Sequence, residues 1–239
     1  MTKGMRKDFQ REIKLNFSRF LSITLIVVLG VAFFSGLRAA KPAMQASADK
    51  QYDSENLMDI RVAGTLGMTD KDVDALKKVD GVQDAEGTYE QDFLCDTGNS
   101  EAVTKVMSLN DGISLVRDSE GRFPQGYNEC TADRSFLDAT GYKIGDTVKL
   151  TTGTDEKVSK YLATDEFTIV GVGTTSMYMD SDRGSAAIGT GRINGFLIVP
   201  KQAFTMSCYT SVHITVKDAM ALGCYSSDYT ELISKVKDR

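Results

Sequence analysis

The chain has 239 residues, of which 41% are hydrophobic and 26% are charged, a composition typical of folded proteins that excludes extensive disorder. One histidine and three prolines exclude a multi-histidine metal site and a proline-rich tract. The net charge is -5, but the first 20 residues carry six basic and two acidic side chains, so a head of +4 precedes a body of -9. An acidic body repels a phosphate backbone, and we expect no nucleic-acid partner.

The head, residues 1–19, has the pattern of a short amphipathic helix on the cytoplasmic face of a membrane. Apolar residues recur at helical spacing from Phe9 to Phe20, while the basic residues fall mostly elsewhere. The side chains predicted to lie on the anionic membrane surface are Arg6, Lys7, Arg11, Lys14 and Arg19. The alternative is that these charges only set the orientation of the chain in the membrane.

Residues 20–37 form the most specific feature, a run of eighteen residues (FLSITLIVVLGVAFFSGL) without a charge. A helix of this length covers about 27 Å, enough to cross the hydrocarbon of a bilayer, and a buried core helix seldom runs so far without a charge. Arg38 stands close to where a signal-peptide cleavage site needs small residues, so the run predicts an uncleaved anchor. Basic residues are retained on the cytoplasmic side, which predicts a single-pass cell-membrane protein with a cytoplasmic N-terminus and an extracytoplasmic body.

Residues 38–56 are predicted to extend this helix as an extracytoplasmic stalk, and residues 57–239 to form the body. Helices and strands are interspersed there without strict βαβ alternation, which favours an α+β fold. Strands are predicted at 58–62, 82–93, 102–109, 147–151, 167–172, 196–199 and 211–216, and helices at 69–81, 131–140 and 228–237. The stretch 173–195 is rich in Gly, Ser and Asp, which is typical of a mobile functional loop or of a hairpin with a weak pattern.

No sequence motif for catalysis or cofactor binding is complete in this chain. The chain has no Walker A sequence, and Ser176 stands where a dinucleotide fingerprint needs its third glycine. A calcium loop starting at Asp180 would need glutamate at its twelfth position, which is Gly191. We therefore expect no metal, no cofactor and no enzymatic activity, with a tethered hydrolase that uses Asp180 and Asp182 as the remaining alternative.

The single histidine and the four cysteines have structural interpretations. His213 alternates with polar neighbours in strand 211–216, which predicts a solvated position on the polar face. The cysteines all lie in the body and are Cys95, Cys130, Cys208 and Cys224. Outside the cytoplasm they can form two disulfides with three connectivities, but a body of this size also folds without such links.

The order of basic head, single span, stalk and strand-helix-strand resembles the N-terminal part of FtsX-like (MacB-type) ABC transporter permeases. The resemblance covers most of the chain from residue 7 to about residue 235 and rests on ordered short motifs. These are KDF at 7–9, NFSRF at 16–20, MDIRV at 58–62, TDKDV at 69–73, GV at 81–82, GRFP at 121–124, NEC at 128–130, GYKIGDTV at 141–148 and FTIVGV at 167–172.

The resemblance implies a mixed α/β domain of the MacB-like periplasmic core type, working with a cytoplasmic ABC ATPase subunit. Such permeases export or extract lipids, lipoproteins or peptides, or regulate cell-wall enzymes. The family has a later group of three spans, whereas no span follows here before Arg239. The resemblance therefore implies either a fragment of a longer permease or a one-span derivative that cannot transport alone, with further permease spans or a second permease copy as partners. The alternative is a membrane-tethered extracytoplasmic binding or sensing module without transport activity.

Overall fold

The computed structural model describes residues 3–97, 101–180 and 182–239, except for the side chains of residues 3, 4, 6 and 8–10. The chain divides into two compact units, Met1–Ala48 and Asp49–Arg239. The helices are α1 (Lys3–Leu15), α2 (Phe17–Ser54), α3 (Asp70–Leu76), α4 (Arg134–Thr140) and α5 (Ser227–Lys237). The strands are β1 (Ile60–Val62), β2 (Val82–Thr88), β3 (Glu90–Asp96), β4 (Glu101–Ser108), β5 (Arg117–Gly121), β6 (Glu129–Ala132), β7 (Thr147–Thr151), β8 (Glu166–Thr174), β9 (Ile193–Val199) and β10 (Ser211–Val216).

Helix α2 contains the whole predicted span and almost all of the predicted stalk. It ends because Asn56 adopts a left-handed backbone conformation with φ of 45°, which Asn tolerates better than most residues. The Leu57 N–H then donates to the Tyr52 carbonyl at 3.0 Å, the long bond of a Schellman cap. The helix therefore ends at Ser54, two residues before Asn56, the predicted end of the stalk.

A small antiparallel sheet, in the order β1-β10-β2, is covered on one face by α3 and α5. Apolar side chains from alternate positions of the three strands, among them Ile60, Ile214 and Ala85, share this face because they are paired in register. Helix α3 begins with a capping interaction, in which the Asp72 carboxylate accepts from the Thr69 N–H at 2.7 Å. The small sheet is thus a two-layer α+β unit.

The remaining strands form a closed six-stranded barrel, in the order β6-β9-β4-β3-β7-β8 and back to β6. Strand β7 shows why the sequence folds this way, since Val148 and Leu150 are fully buried while their neighbours are exposed. Phe93 and Phe167 fill the interior beside them. Strand β5 extends the sheet beyond the barrel by pairing with β8. The α+β prediction is confirmed.

Several sequence predictions need correction at the level of elements, among them the helix predicted at 69–81, which ends at Leu76. The strand predicted at 82–93 is two strands, because the chain leaves the small sheet after Thr88 and enters the barrel at Glu90. The helix predicted from 131 begins at Arg134, because Thr131 and Ala132 pair within β6 and Asp133 is the N-cap. Strand β5 was not predicted at all; its side chains are mostly exposed and lack an alternating apolar pattern.

His213 is not solvated, contrary to the prediction. All six residues of β10 are buried, and His213 itself has no exposed surface. The reason is that β10 is the central strand of the small sheet, whose polar face is covered in turn by the segment that follows β4, with Asn110 against His213. Alternation separates the two faces of a strand, but it does not reveal whether the polar face meets water.

Gly195 allows α4 to approach β9 closely. A Cβ atom at this position would lie 2.5 Å from the backbone nitrogen of Phe136. This clash cannot be relieved by rotating a side chain, because the contact is with the backbone of α4. We expect Gly195→Ala to lower the free energy of unfolding by about 2 kcal/mol. Urea unfolding followed by tyrosine fluorescence measures the loss, because eight of the nine tyrosines lie in the body and the chain has no tryptophan.

Gly223→Ala is the matched control for this prediction. Its added Cβ would come no closer than 3.6 Å, to an Asp49 carboxylate oxygen, and its backbone needs no special conformation. We expect a change within about 0.5 kcal/mol. Equal losses at the two positions would contradict the close approach of α4 to β9.

Candidate functional site: membrane segment and stalk clamp

In the described part of the chain, one helix is long and apolar enough to cross a membrane, and it is α2. Every residue from position 17 to position 44 is exposed, including the large apolar side chains. Water is a poor solvent for such a surface, whereas lipid or other apolar helices can cover it. Pro42 lies inside α2 beyond Arg38, and because proline has no N–H it leaves the Arg38 carbonyl without its usual helical donor.

Helix α1 carries most of the basic residues predicted to lie on the membrane surface. The side chains of Lys7, Arg11, Lys14 and Arg19 are exposed, and that of Arg6 lies outside the described part. Between the two helices, the Asn16 side-chain amide donates to the Glu12 carboxylate at 3.1 Å. The role of these charges at a membrane stays a prediction.

The last turn of α2 belongs to the body and is held by contacts that we call the stalk clamp: those of Glu55 and Asn56 with residues 112–117 and Ser176. Glu55 is 3% exposed. Its carboxylate accepts from the Ser176 N–H at 2.7 Å and lies 3.6 Å from the Arg117 guanidinium. A buried carboxylate needs such partners because leaving water is costly for a charge.

Backbone contacts complete the stalk clamp. The Glu55 carbonyl accepts from Leu115 N–H and the Asn56 carbonyl from Ser114 N–H, both at 2.8 Å. The Asn56 side-chain amide donates to the Gly112 carbonyl at 2.7 Å. Backbone and side-chain hydrogen bonds therefore join the end of the stalk to the segment between β4 and β5.

A second group of contacts joins the same region to the small sheet. The Asp59 carboxylate accepts from the Val216 N–H and from the Tyr229 hydroxyl, each at 2.7 Å. Burial raises the pKa of Asp59 and outweighs these two hydrogen bonds, which by themselves lower it. The Asp49 carboxylate accepts from the Cys224 N–H at 2.7 Å. Asp49 within α2 and Asp59 after its end thus both accept hydrogen bonds from residues of β10 and the segments that follow it.

The long stretch 173–195 is anchored at its centre. Its ends belong to β8 and β9, and between them Arg183 forms an ion pair with Asp133, at 2.8 Å from Nε to the carboxylate. The same guanidinium donates to the Ser135 hydroxyl at 3.2 Å and stacks over the Phe196 ring at 5.7 Å. We call this set of contacts the Arg183 latch. The described part of this stretch is a loop held by Arg183, with an antiparallel bridge between Ser185 and Arg192, and its function stays a prediction.

All four cysteines are free thiols in the structure, and disulfides between them outside the cytoplasm stay a prediction. Cys95 and Cys130 are buried in the barrel core, while Cys208 lies before β10 and Cys224 after it. Burial raises the pKa of Cys95 to about 11 and that of Cys224 to about 12, so both are protonated at neutral pH. Protonated thiols are weak nucleophiles, which fits structural rather than catalytic positions.

The acid pair of the hydrolase alternative lies in the anchored loop. The Asp182 carboxylate accepts from the Gly184 N–H at 2.9 Å, and the Asp180 carbonyl accepts from Arg183. Within residues 3–97, 101–180 and 182–239, no group of three or more His, Cys, Asp or Glu side chains is placed to hold a metal ion. The arrangement around Asp182 is that of a turn.

Sequence reasoning missed the residues of the stalk clamp and of the Arg183 latch. Glu55 and Arg183 are single charged side chains in polar stretches, and nothing in their local pattern separates them from solvated charges. The one available signal was Asn56, since Asn after a long helix is typical of a C-terminal cap.

Several solved structures are similar to this protein over most of the chain. One is the extracellular domain of the noncanonic ABC-type transporter YknZ from Gram-positive bacteria, with 13% identity, 71% of this chain and 80% of that chain covered and a TM-score of 0.43. Another is the periplasmic region of MacB from Actinobacillus actinomycetemcomitans, with 12% identity, 74% and 73% covered and a TM-score of 0.38. A third is a domain assigned to a permease protein from Porphyromonas gingivalis, with 14% identity, 66% and 69% covered and a TM-score of 0.36. No protein-family model and no curated protein sequence matches the chain.

Proposed function

We propose that the chain is the first span and extracytoplasmic domain of an FtsX-like (MacB-type) ABC transporter permease. In this proposal α2 connects a cytoplasmic ATPase subunit to the body, for export or extraction of a lipid, lipoprotein or peptide. The observation that carries it is the stalk clamp, because α2 contains the apolar segment and also ends in buried contacts through Glu55. A helix that served only as a tether would not need a buried charge at its end.

The proposed orientation puts α1 on the cytoplasmic membrane surface and the body outside the cytoplasm. The basic side chains of α1 favour the anionic inner leaflet by about 1 kcal/mol each. The exposed apolar surface of α2 is proposed to contact lipid together with further permease spans or a second permease copy. These contacts supply the partners that the exposed apolar side chains need.

The orientation leads to a charge-substitution prediction. We expect a variant with Lys7, Arg11, Lys14 and Arg19 all changed to Gln to insert partly in the opposite orientation, because four retained cytoplasmic charges are lost. The fraction of chains whose body is protected from protease added outside intact cells measures inversion, and we expect it to rise from near zero to a substantial share.

Arg38 and Lys41 provide the matched control on the other side of the apolar run. Changing both to Gln removes charges that oppose the proposed orientation, so the body should remain fully accessible from outside. Protection of the body in the wild-type protein, or equal inversion in both variants, would contradict the proposed orientation.

The ATPase partner is tested by purifying the native protein from gently solubilised membranes and identifying what accompanies it by mass spectrometry. An ABC ATPase in stoichiometric amount, whose ATP hydrolysis in reconstituted vesicles changes when Glu55 is changed to Ala, supports the proposal. A chain that purifies without such an ATPase contradicts the proposal and favours the membrane-tethered binding or sensing module.

A further inference from the structure

Polar side chains form a buried layer between the small sheet and the barrel, which we call the polar joint. Its members come from the polar face of the small sheet and from the end of β4, and all are buried. They are Thr88, Ser108, Asn110, Ser211, His213 and Thr215. Two apolar surfaces in this place would adhere strongly, whereas a polar layer gains little from contact relative to contact with water.

Hydrogen bonding within the polar joint is incomplete. The Asn110 side-chain amide reaches Thr88 Oγ1 at 3.1 Å and His213 Nδ1 at 3.4 Å. His213 Nε2 and Ser211 Oγ, both buried, have no hydrogen-bond partner. An unpartnered buried polar atom gains a hydrogen bond when water enters, so these atoms favour opening of the joint.

Charged contacts at the edge of the joint hold it closed. Glu86 of the small sheet accepts from the N–H groups of residues 111, 112 and 113 at 3.0, 3.0 and 2.8 Å, and it pairs with the Lys201 ammonium. Arg61 of the small sheet pairs with Glu90 of the barrel at 2.8 Å. The Glu86 contacts require a carboxylate, because a protonated carboxyl is a much poorer acceptor for four donors.

We propose that the polar joint is an acid-sensitive seam along which the small sheet and the barrel separate, closed while Glu86 is ionised and His213 is neutral. Protonation of either side chain then favours the open form. The proposal does not depend on a transport function, since it concerns two parts of the body.

The charges around His213 determine the direction of the effect. Arg61 faces it from β1, Glu86 from β2 and Lys201 from the segment after β9, while the segment after β4 contributes the neutral Asn110. Burial, followed by Arg61, lowers the pKa of His213 to about 4 from an ordinary value of 6.5. In the open form, water restores the ordinary pKa of His213, so the open form binds the proton more tightly. The open form therefore becomes more stable relative to the closed form as the pH falls below about 6.5.

Glu86 acts in the same direction at lower pH. Burial opposes its charge, but Lys201 and the N–H groups outweigh burial and lower the pKa of Glu86 below its ordinary 4.5. Because its pKa is lowered in the closed form, ionised Glu86 stabilises the closed form at any pH above its ordinary pKa. This stabilisation is lost as the pH falls through the lowered pKa. Opening therefore begins with His213 and is completed by Glu86.

Thiol labelling of the full chain in detergent tests the proposal. Ser211→Cys places a thiol in the joint without loss of a hydrogen bond, because Ser211 Oγ has no partner. The background carries Cys208→Ser and Cys224→Ser, and the buried thiols of Cys95 and Cys130 report any opening of the barrel core. The probe is a dipyridyl disulfide, which reacts with thiols in mild acid, and rates are divided by those of the denatured variant at the same pH.

We expect the Ser211→Cys thiol to react on the order of tenfold to thirtyfold faster at about pH 5 than at about pH 7.5, with the core thiols protected at both. His213→Gln should remove most of this rise, and Glu86→Gln should speed labelling already at neutral pH. Glu129→Gln is the matched control, because Glu129 pairs with Arg122 outside the joint, and labelling should stay as in the parent.

Equal labelling at the two pH values, or labelling of the core thiols together with the Ser211→Cys thiol, would overturn the proposal. Hydrogen exchange on the unmodified protein provides a second test that needs no substitution. The amides of residues 111–113, corrected for intrinsic rates, should lose protection in acid before those of the barrel core. Simultaneous loss would also overturn the proposal.

Discussion

Arg183→Ala is expected to lower the free energy of unfolding of the body by about 4 kcal/mol, the largest effect of any single substitution considered. The Asp133 side chain is 3% exposed and that of Arg183 is 11% exposed, so the variant leaves a buried carboxylate without its cation. Urea unfolding followed by tyrosine fluorescence measures the loss. In hydrogen exchange, the loop between β8 and β9 should lose protection first, because the Arg183 latch is its central anchor.

Arg134→Ala is the matched control, one residue along the chain from Asp133. Arg134 also pairs with a carboxylate, Glu120 at 2.9 Å, but both side chains are more than half exposed. Water screens such a pair, so we expect a loss below about 1 kcal/mol. Arg183→Lys keeps the charge but not the bidentate geometry, so its loss in free energy of unfolding should lie between those of Arg183→Ala and Arg134→Ala. A loss for Arg183→Ala no larger than that for Arg134→Ala would contradict the role of the Arg183 latch.

Glu55→Ala is expected to lower the free energy of unfolding by about 3 kcal/mol, because it leaves the buried Ser176 N–H without an acceptor and removes a charge-assisted hydrogen bond. The same substitution removes the ion pair with Arg117, whose guanidinium still donates to the Ser54 hydroxyl at 2.9 Å. Besides urea unfolding, the exchange rate of the Ser176 amide measures the effect directly, and we expect at least a tenfold increase.

Two further variants define what the Glu55 carboxylate contributes. Glu55→Gln keeps an acceptor for the Ser176 N–H and loses only the ion pair with Arg117, whose side chain is 54% exposed, so a loss below about 1 kcal/mol is expected. Asp53→Ala removes an exposed carboxylate from the same turn of α2 and should change the stability little. If Glu55→Ala and Asp53→Ala behave alike, the stalk clamp does not hold the end of α2.

Local pattern was enough to predict the elements whose residues are patterned by their own neighbours. The apolar run of α2, the alternation of β7 and the spacing of Leu232, Ile233 and Val236 on α5 each depend on short-range periodicity. Gly141 was predicted to end a helix, and it does so with φ of 80° and an N–H that donates to Leu137 at 2.8 Å.

The change of sheet at Tyr89 could not be predicted, because 82–93 is one continuous segment whose two halves find partners far apart in the chain. Strand β2 pairs with β10, more than a hundred residues later, whereas β3 pairs with β4 directly after it. Which partner a strand takes depends on closing a barrel, and a local pattern contains no information about closure.

The sequence by itself therefore determined the membrane helix, the α+β class and most strands of this protein, since each follows from the periodicity of neighbouring residues. Only the tertiary structure decided that His213 is buried and that Glu55 and Arg183 are held by partners. Burial of a polar side chain depends on which distant segment covers it, and its free energy depends on whether that segment supplies a hydrogen bond or an opposite charge.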